Sequence, residues 1–278
     1  MSLRCGRTKL SDETVERAHP AVAGWGLAPL LLLISSSCAV AADIPLSERR
    51  SGYDLMSPAT RAMQDDDANP GGLWVQEGRS RWMEKPAENV PACLDCHGPA
   101  ERSMAGVAAR YPAFDAATQA PIDLEQRINR CRTMKQHASP YPFESRPLLA
   151  LTAYVARQSR GLPIDAGADP RLARFLTAGR DEFERRRGQL NLSCAQCHDD
   201  HWGQHLGGSV IPQAHPTGYP IYRLEWQALG SLQRRLRACI SGVRAEPYDY
   251  EAGELVDLEL FLMWRARGMT IETPAVRP

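Results

Sequence analysis

Two five-residue runs carry the chemistry. Cys93-Leu94-Asp95-Cys96-His97 and Cys194-Ala195-Gln196-Cys197-His198 both read C-x-x-C-H. On one helical turn, thiols at i and i+3 lie side by side. They can add to the two vinyl groups of one haem, and the adjacent histidine then reaches the iron. One such motif is a weak signal; two behind an export signal are a strong one. The pattern predicts two covalently attached c-type haems. Cys93 and Cys96 hold one and Cys194 and Cys197 the other, with His97 and His198 as axial ligands.

Two further cysteines, Cys131 and Cys239, follow the motifs. A disulfide between them would suit an exported chain. Their equal places in an internal repeat point instead to equal roles, as axial thiolates at the position where a small cytochrome takes its second ligand. The rival ligands are Met104 and Met134 for the first haem, and His201, His205, His215 and Met263 for the second. An anionic sulfur stabilises ferric iron and lowers the potential, which suits a tuned or catalytic centre better than a simple shuttle.

The repeat supplies the elements that must position these groups. The motifs are offset by 101 residues. Leu124 to Cys131 and Leu232 to Cys239 both read L-x-x-R-[I/L]-x-x-C, offset by 108. Leu148, Leu151, Tyr154, Arg160 and Gly161 then match Leu255, Leu258, Phe261, Arg267 and Gly268, offset by 107. Their spacing gives one apolar helix face, with each glycine past the helix end. Each half therefore reads as haem motif, irregular loop, short helix ending in a cysteine, turn and long amphipathic helix. Helices around Gly71 to Trp82 and Arg171 to Arg187 precede the two motifs. The fold class is all-α: two tandem cytochrome c-like domains at 70–163 and 164–278, behind an irregular N-terminal arm at 43–69. The boundary is the run Leu162 to Pro170, rich in Pro, Gly and Asp. Neither half has the alternating pattern of a substantial sheet.

Residues 1–42 read as a signal peptide. Trp25 to Ile34 is an apolar core, too short to span a membrane, and Ala39-Val40-Ala41-Ala42 offers small residues for cleavage. The acidic residues Asp12, Glu13 and Glu16 ahead of it suggest a misassigned start codon. Cys5 and Cys38 leave with this segment. The expected location is the periplasm, with no membrane span in the mature chain. Across 278 residues, 33 basic side chains balance 33 acidic ones. That balance argues against a nucleic-acid binder, which needs a basic face. Only Lys9, Lys85 and Lys135 are lysines, so the cationic surface is arginine, the residue that grips oxyanions by paired donors.

With these motifs the chain resembles SoxA, the larger cytochrome subunit of the SoxAX complex of bacterial sulfur oxidation, in its dihaem form. The resembling runs are Arg234-Arg235-Leu236-Arg237-Ala238-Cys239, Val243 to Pro247, Met263-Trp264-Arg265, Ile128 to Arg132 and Ala150 to Ala156. The resemblance implies an L-cysteine S-thiosulfotransferase that oxidatively joins thiosulfate to a cysteine of the SoxYZ carrier. The monohaem cytochrome SoxX would be its heterodimer partner and electron acceptor. It implies that the second haem is the active one, that Cys239 is carried as a persulfide, and that Arg235 binds substrate. Arg237 and Arg244 are lesser candidates for anion binding. From the repeat alone Arg235 is open, because Arg127 holds the same place and either could pair with a haem propionate. The competing functions are a periplasmic dihaem electron carrier and a thiosulfate dehydrogenase.

Peptide-resolved mass spectrometry of the exported protein is expected to find haem on the Cys93/Cys96 and Cys194/Cys197 peptides, and one extra sulfur on the Cys239 peptide. Two haems with an unmodified Cys239, or a Cys131–Cys239 disulfide, would return the reading to an electron carrier.

Overall fold

The computed structural model describes residues 44–278. The leader read at 1–42, with Cys5 and Cys38, lies outside the described residues. The arm contains a 3-10 turn at Leu46–Glu48 and helix α1 at Pro58–Ala62, whose N-cap Ser57 accepts from the Thr60 amide. The first half then runs α2 (Gly72–Met83), α3 (Cys93–His97), α4 (Ala100–Ser103), β1 (Ala113–Asp115), β2 (Ala120–Ile122), α5 (Leu124–Lys135) and α6 (Arg146–Arg157). The second half runs α7 (Ala173–Glu184), α8 (Cys194–His198), β3 (His205–Leu206), β4 (Ser209–Val210), β5 (Ile221–Arg223), β6 (Ala228–Gly230), α9 (Leu232–Gly242), α10 (Gly253–Arg265) and β7 (Ala275–Arg277). Among the described residues no helix is long and apolar enough to cross a membrane.

The protein is predominantly helical, and its strands are two or three residues long. β1–β2 and β5–β6 are antiparallel hairpins in the same place of each half, with Ala113 opposite Ile122 and Ile221 opposite Gly230. β3 and β4 form a small hairpin, and β7 lies parallel to β5. One local expectation changes. α5 and α9 do not end at their cysteines but continue past Cys131 and Cys239. Helical caps start both: Asp123 accepts from the Gln126 amide and Ser231 from the Arg234 amide.

Each half is organised by one helix crossing. α6 buries every residue from Leu148 to Ala156 and packs against α2. α10 packs against α7 in the same way. Both crossings are so close that glycine is required. A Cβ on Gly78 would stand 2.1 Å from the Ala150 carbonyl oxygen, and one on Gly179 would stand 2.0 Å from that of Asp257. Backbone contact of this kind leaves no side chain to yield. Gly179→Ala and Gly78→Ala are each expected to cost about 1–3 kcal/mol, read as a lowered denaturation midpoint of the haem-loaded protein. An unchanged midpoint would contradict the crossing geometry.

The halves meet through apolar clusters, Leu149 and Ala153 against Leu229 and Ala109 against Ala266 and Ile271, and through a polar seam. Gln233 Nε2 donates to Asp123 Oδ2 (2.7 Å), the Glu251 amide donates to Gln233 Oε1 (2.8 Å), and the Ser231 amide donates to Glu144 Oε1 (3.0 Å). Phe143 stacks on Tyr250 at 5.1 Å. A cavity of about 50 Å³ opens here, lined by Tyr111, Glu125, Thr152, Thr217, Tyr219 and Glu259. Burial, with the nearby Glu251 carboxylate, pushes Asp123 up to about 7 against the Gln126 amide. Burial and Asp123 push Glu125 well above the usual carboxylate range, and burial with Asp123 and Glu125 does the same to Glu259. These acids hold protons in the folded state that the unfolded chain releases from about pH 4. Stability therefore falls as pH rises from about 4 to about 7. Asp123→Asn keeps a cap oxygen and is expected to flatten that decline, measured as denaturation midpoints at intervals across this range. An equal decline in the variant would count against a buried titrating seam.

Candidate functional site

α3 and α8 are single helical turns that consist of the two motifs. The residue between the paired cysteines folds each turn. Asp95 Oδ2 accepts from the Ala92 amide (2.9 Å), and Gln196 Oε1 accepts from the Ser193 amide (3.0 Å). Ser193 Oγ accepts in return from the Gln196 amide, closing a capping box. α2 and α7 stand against these turns. Their buried Trp82 and Phe183 face the imidazoles of His97 (5.7 Å between ring centroids) and His198 (6.5 Å). Trp82 and Phe183 keep the 101-residue offset of the motifs, so extending the repeat backward would have found them.

His198 Nδ1 lies 2.6 Å from the Pro212 carbonyl oxygen. That bond fixes the Nδ1–H tautomer and leaves the Nε2 lone pair able to bind a metal. Burial lowers the His198 pKa and favours the neutral ring that a metal needs, although the Pro212 bond opposes the shift.

The remaining cysteines approach their motifs. All six cysteines of the described residues are free thiols, so Cys131 and Cys239 are not bridged. Burial and then Cys131 raise the Cys93 thiol. Burial and then Cys239 raise Cys197, and push Cys194 up to about 11. Each lone cysteine therefore lies within electrostatic range of the paired motif thiols of its own half. A cleft of about 430 Å³ beside Cys93 is lined by Val90, Arg132, His137, Tyr141 and Leu151. Paired thiols, a tautomer-fixed imidazole and a nearby third thiol fit a c-type haem in donor chemistry.

The rival ligands are placed elsewhere or serve other contacts. Met134 is 63% exposed, and His201 and His205 are exposed. Met263 packs with Ala109, Ile164 and Ile271. His215 Nδ1 lies 3.0 Å from the Arg50 carbonyl oxygen. Met104 does pack in the first cluster with Cys93 and Trp82.

The two repeat-equivalent arginines differ. Arg127 donates to Tyr111 Oη (3.2 Å) and pairs with the buried Asp115 carboxylate at 3.4 Å. Arg235 forms no ion pair or hydrogen bond through its guanidinium among the described residues, yet its charge acts on His198 and on Tyr219. Other arginines around the second motif are neutralised: Arg187 by Glu182 (2.6 Å), and Arg265 by Asp199. Arg237 lies over the Tyr250 ring at 4.5 Å, and Arg244 is exposed.

The family described as SoxA/TsdA, cytochrome c domain, matches residues 77–164 and 178–271. The chain belongs to this SoxA/TsdA cytochrome c family. It is 37% identical to the L-cysteine S-thiosulfotransferase subunit SoxA of Pseudaminobacter salicylatoxidans, over 84% of this chain and 82% of the relative. The subunit of the same name from Rhodovulum sulfidophilum is 33% identical, over 83% and 80%. The crystal structure of SoxXA from P. pantotrophus is similar with a TM-score of 0.80 at 29% identity, covering 83% of this chain and 87% of that one. The two matched segments of the family coincide with the two halves that carry the C-x-x-C-H turns.

Proposed function

We propose that this chain is the SoxA-type subunit of an L-cysteine S-thiosulfotransferase, and that its second half is the coupling centre. The observation that carries the assignment to the second half is the contrast between Arg127, neutralised by Asp115, and Arg235, a cation without a carboxylate partner. Cys93 and Cys96 with His97, and Cys194 and Cys197 with His198, would each hold a c-type haem, with Cys131 and Cys239 as the sulfur donors of the two halves. The haem, when bound, would supply a one-electron acceptor, so the two electrons released by the new S–S bond leave one at a time.

Every other part of the reaction belongs to side chains. Arg235 and Cys239 are four apart on α9, so they share a face. The guanidinium offers paired donors to the sulfonate oxygens of thiosulfate. That leaves the terminal sulfur of thiosulfate toward Cys239, which we take to be a persulfide. The thiol of a SoxYZ carrier loses one proton, its sulfur joins the terminal sulfur of thiosulfate, and two electrons depart. The product is a carrier cysteine capped by a thiosulfonate. SoxX is the heterodimer partner that receives the electrons. Export of the chain behind residues 1–42 would place the complex in the periplasm.

Cys239→Ala is expected to reduce coupling at least 100-fold while mass spectrometry still finds haem on both motifs. Full activity in that variant would remove Cys239 from the mechanism. In the same assay Arg235→Ala should lose about 10- to 100-fold, the scale of a lost charged hydrogen bond, and Arg127→Ala far less. Equal losses would mean that both arginines hold propionates.

A further inference from the structure

We propose that Arg223 is a second substrate-binding residue, which with Arg235 forms a two-guanidinium clamp for the sulfonate end of thiosulfate beside Cys239. The inference rests on the function proposed above and deepens it.

The repeat register locates the residue. Between β1 and α5 in the first half and β5 and α9 in the second, every structural landmark is offset by 108 residues. Tyr111 matches Tyr219, β1 matches β5, β2 matches β6, the caps Asp123 and Ser231 match, and Arg127 and Cys131 match Arg235 and Cys239. At this offset Asp115, the last residue of β1, corresponds to Arg223, the last residue of β5. The carboxylate that neutralises Arg127 is replaced in the second half by a cation.

The two corners are alike in cations and opposite in what lies between them. In the first half, the guanidiniums of Arg127 and Arg130 share the buried Asp115 carboxylate. Asp115 also accepts from the Thr118 amide and hydroxyl, both at 2.9 Å. The corner is self-satisfied. In the second half, the place of Arg130 is taken by Ala238, and the two guanidiniums are Arg235 and Arg223. No buried carboxylate joins them. Arg223 is 9% exposed. Its Nη2 reaches Glu225 at 2.6 Å, a carboxylate that is 61% exposed and so contributes little against a buried charge. Its Nε is buried with no hydrogen-bond partner in the protein. Burial, and next the charge of Arg235, push the Arg223 guanidinium below its ordinary value, and Tyr219 and Cys239 lie within range of the same charge.

A buried guanidinium with a second, half-buried one within range of its charge is costly unless an anion completes the set. The missing anion must be doubly served, since each guanidinium presents parallel N–H donors. A sulfonate, with three oxygens on a tetrahedral sulfur, accepts from both. A haem propionate is the weaker candidate. Haem carboxylates would be common to both halves, yet the first half closes its corner internally. The difference between the halves follows the coupling chemistry, not the shared cofactor.

The test uses the haem-loaded subunit in complex with SoxX. Thiosulfate binding is measured by calorimetry without carrier, and turnover is measured with SoxYZ. Arg223→Gln is expected to raise the thiosulfate Kd and KM about 10- to 100-fold with a smaller change in kcat, and Arg223→Lys to recover part of the loss. Arg223→Asp would rebuild the ion pair of the first half on Arg235, so it is expected to abolish thiosulfate binding with both haems retained. An unchanged Kd in Arg223→Gln, accompanied by a shift only in the potential of the second haem, would overturn the clamp and make Arg223 a propionate ligand. A wild-type complex that does not bind thiosulfate would overturn it as well. Binding that depends on Arg223 without any coupling to SoxYZ would instead refute the proposed function and leave the clamp standing.

Discussion

The approach of two helix backbones at a glycine is the constraint on which the rest depends. Gly78 brings α2 onto α6 and Gly179 brings α7 onto α10 at distances that no side chain permits. One turn further along each first helix stands the aromatic that meets the motif histidine, Trp82 or Phe183. The crossing therefore determines where α3 and α8 sit, and through them where the paired thiols point. A large apolar surface follows from the same contact, because α6 is buried almost throughout. Burial of that area is the dominant favourable term in a fold with so little sheet. The hairpins β1–β2 and β5–β6 then have a simple duty. They end at the N-caps of α5 and α9 and set the angle at which each lone cysteine reaches its motif.

On this common frame the two halves diverge in electrostatics more than in shape. The first half resolves its charges within itself: Asp115 joins Arg127 and Arg130, and Glu77 pairs with Arg81 and Arg146. The second half leaves Arg235 without an ion pair on the helix that carries Cys239 and sets the buried Arg223 within range of its charge. A duplicated domain can keep its packing and change its task through a few charged positions, since surface and corner residues are not held by close packing. The seam adds a different kind of polarity. Asp123 and Glu125 are buried beside the half-buried Glu259, and Gln233, standing where the first half has Glu125, bonds Asp123 and Glu259 without adding a charge.

Much of this was legible in the sequence where the signal is local. The C-x-x-C-H spacing is imposed by one cofactor on one helical turn, so it survives without any tertiary context. The apolar faces of α6 and α10 follow from a 3.6-residue period, and the equal placement of Cys131 and Cys239 follows from the repeat. What was not legible depends on register between elements. Strands of two or three residues show no alternation, so β1 and β5 gave no sign of themselves and Asp115 and Arg223 could not be matched. Asp123, Glu125 and Glu259 read as ordinary polar positions, because nothing in their neighbours signals that the other half will pack against them. Arg127 and Arg235 looked interchangeable for the same reason.

The N-terminal arm has a consequence for how the protein is made. Gln64 donates to the Val276 carbonyl and accepts from the Val276 amide, and Asn69 donates to the Pro274 carbonyl. The Arg50 amide donates to Gln213, and Ser51 donates to Glu272. Each of these partners lies C-terminal to both C-x-x-C-H turns. The arm must therefore wait for these later residues, and the molecular clasp closes only after both motifs have been delivered. Synthesis order alone thus leaves both motif turns unlatched until the chain beyond them has followed.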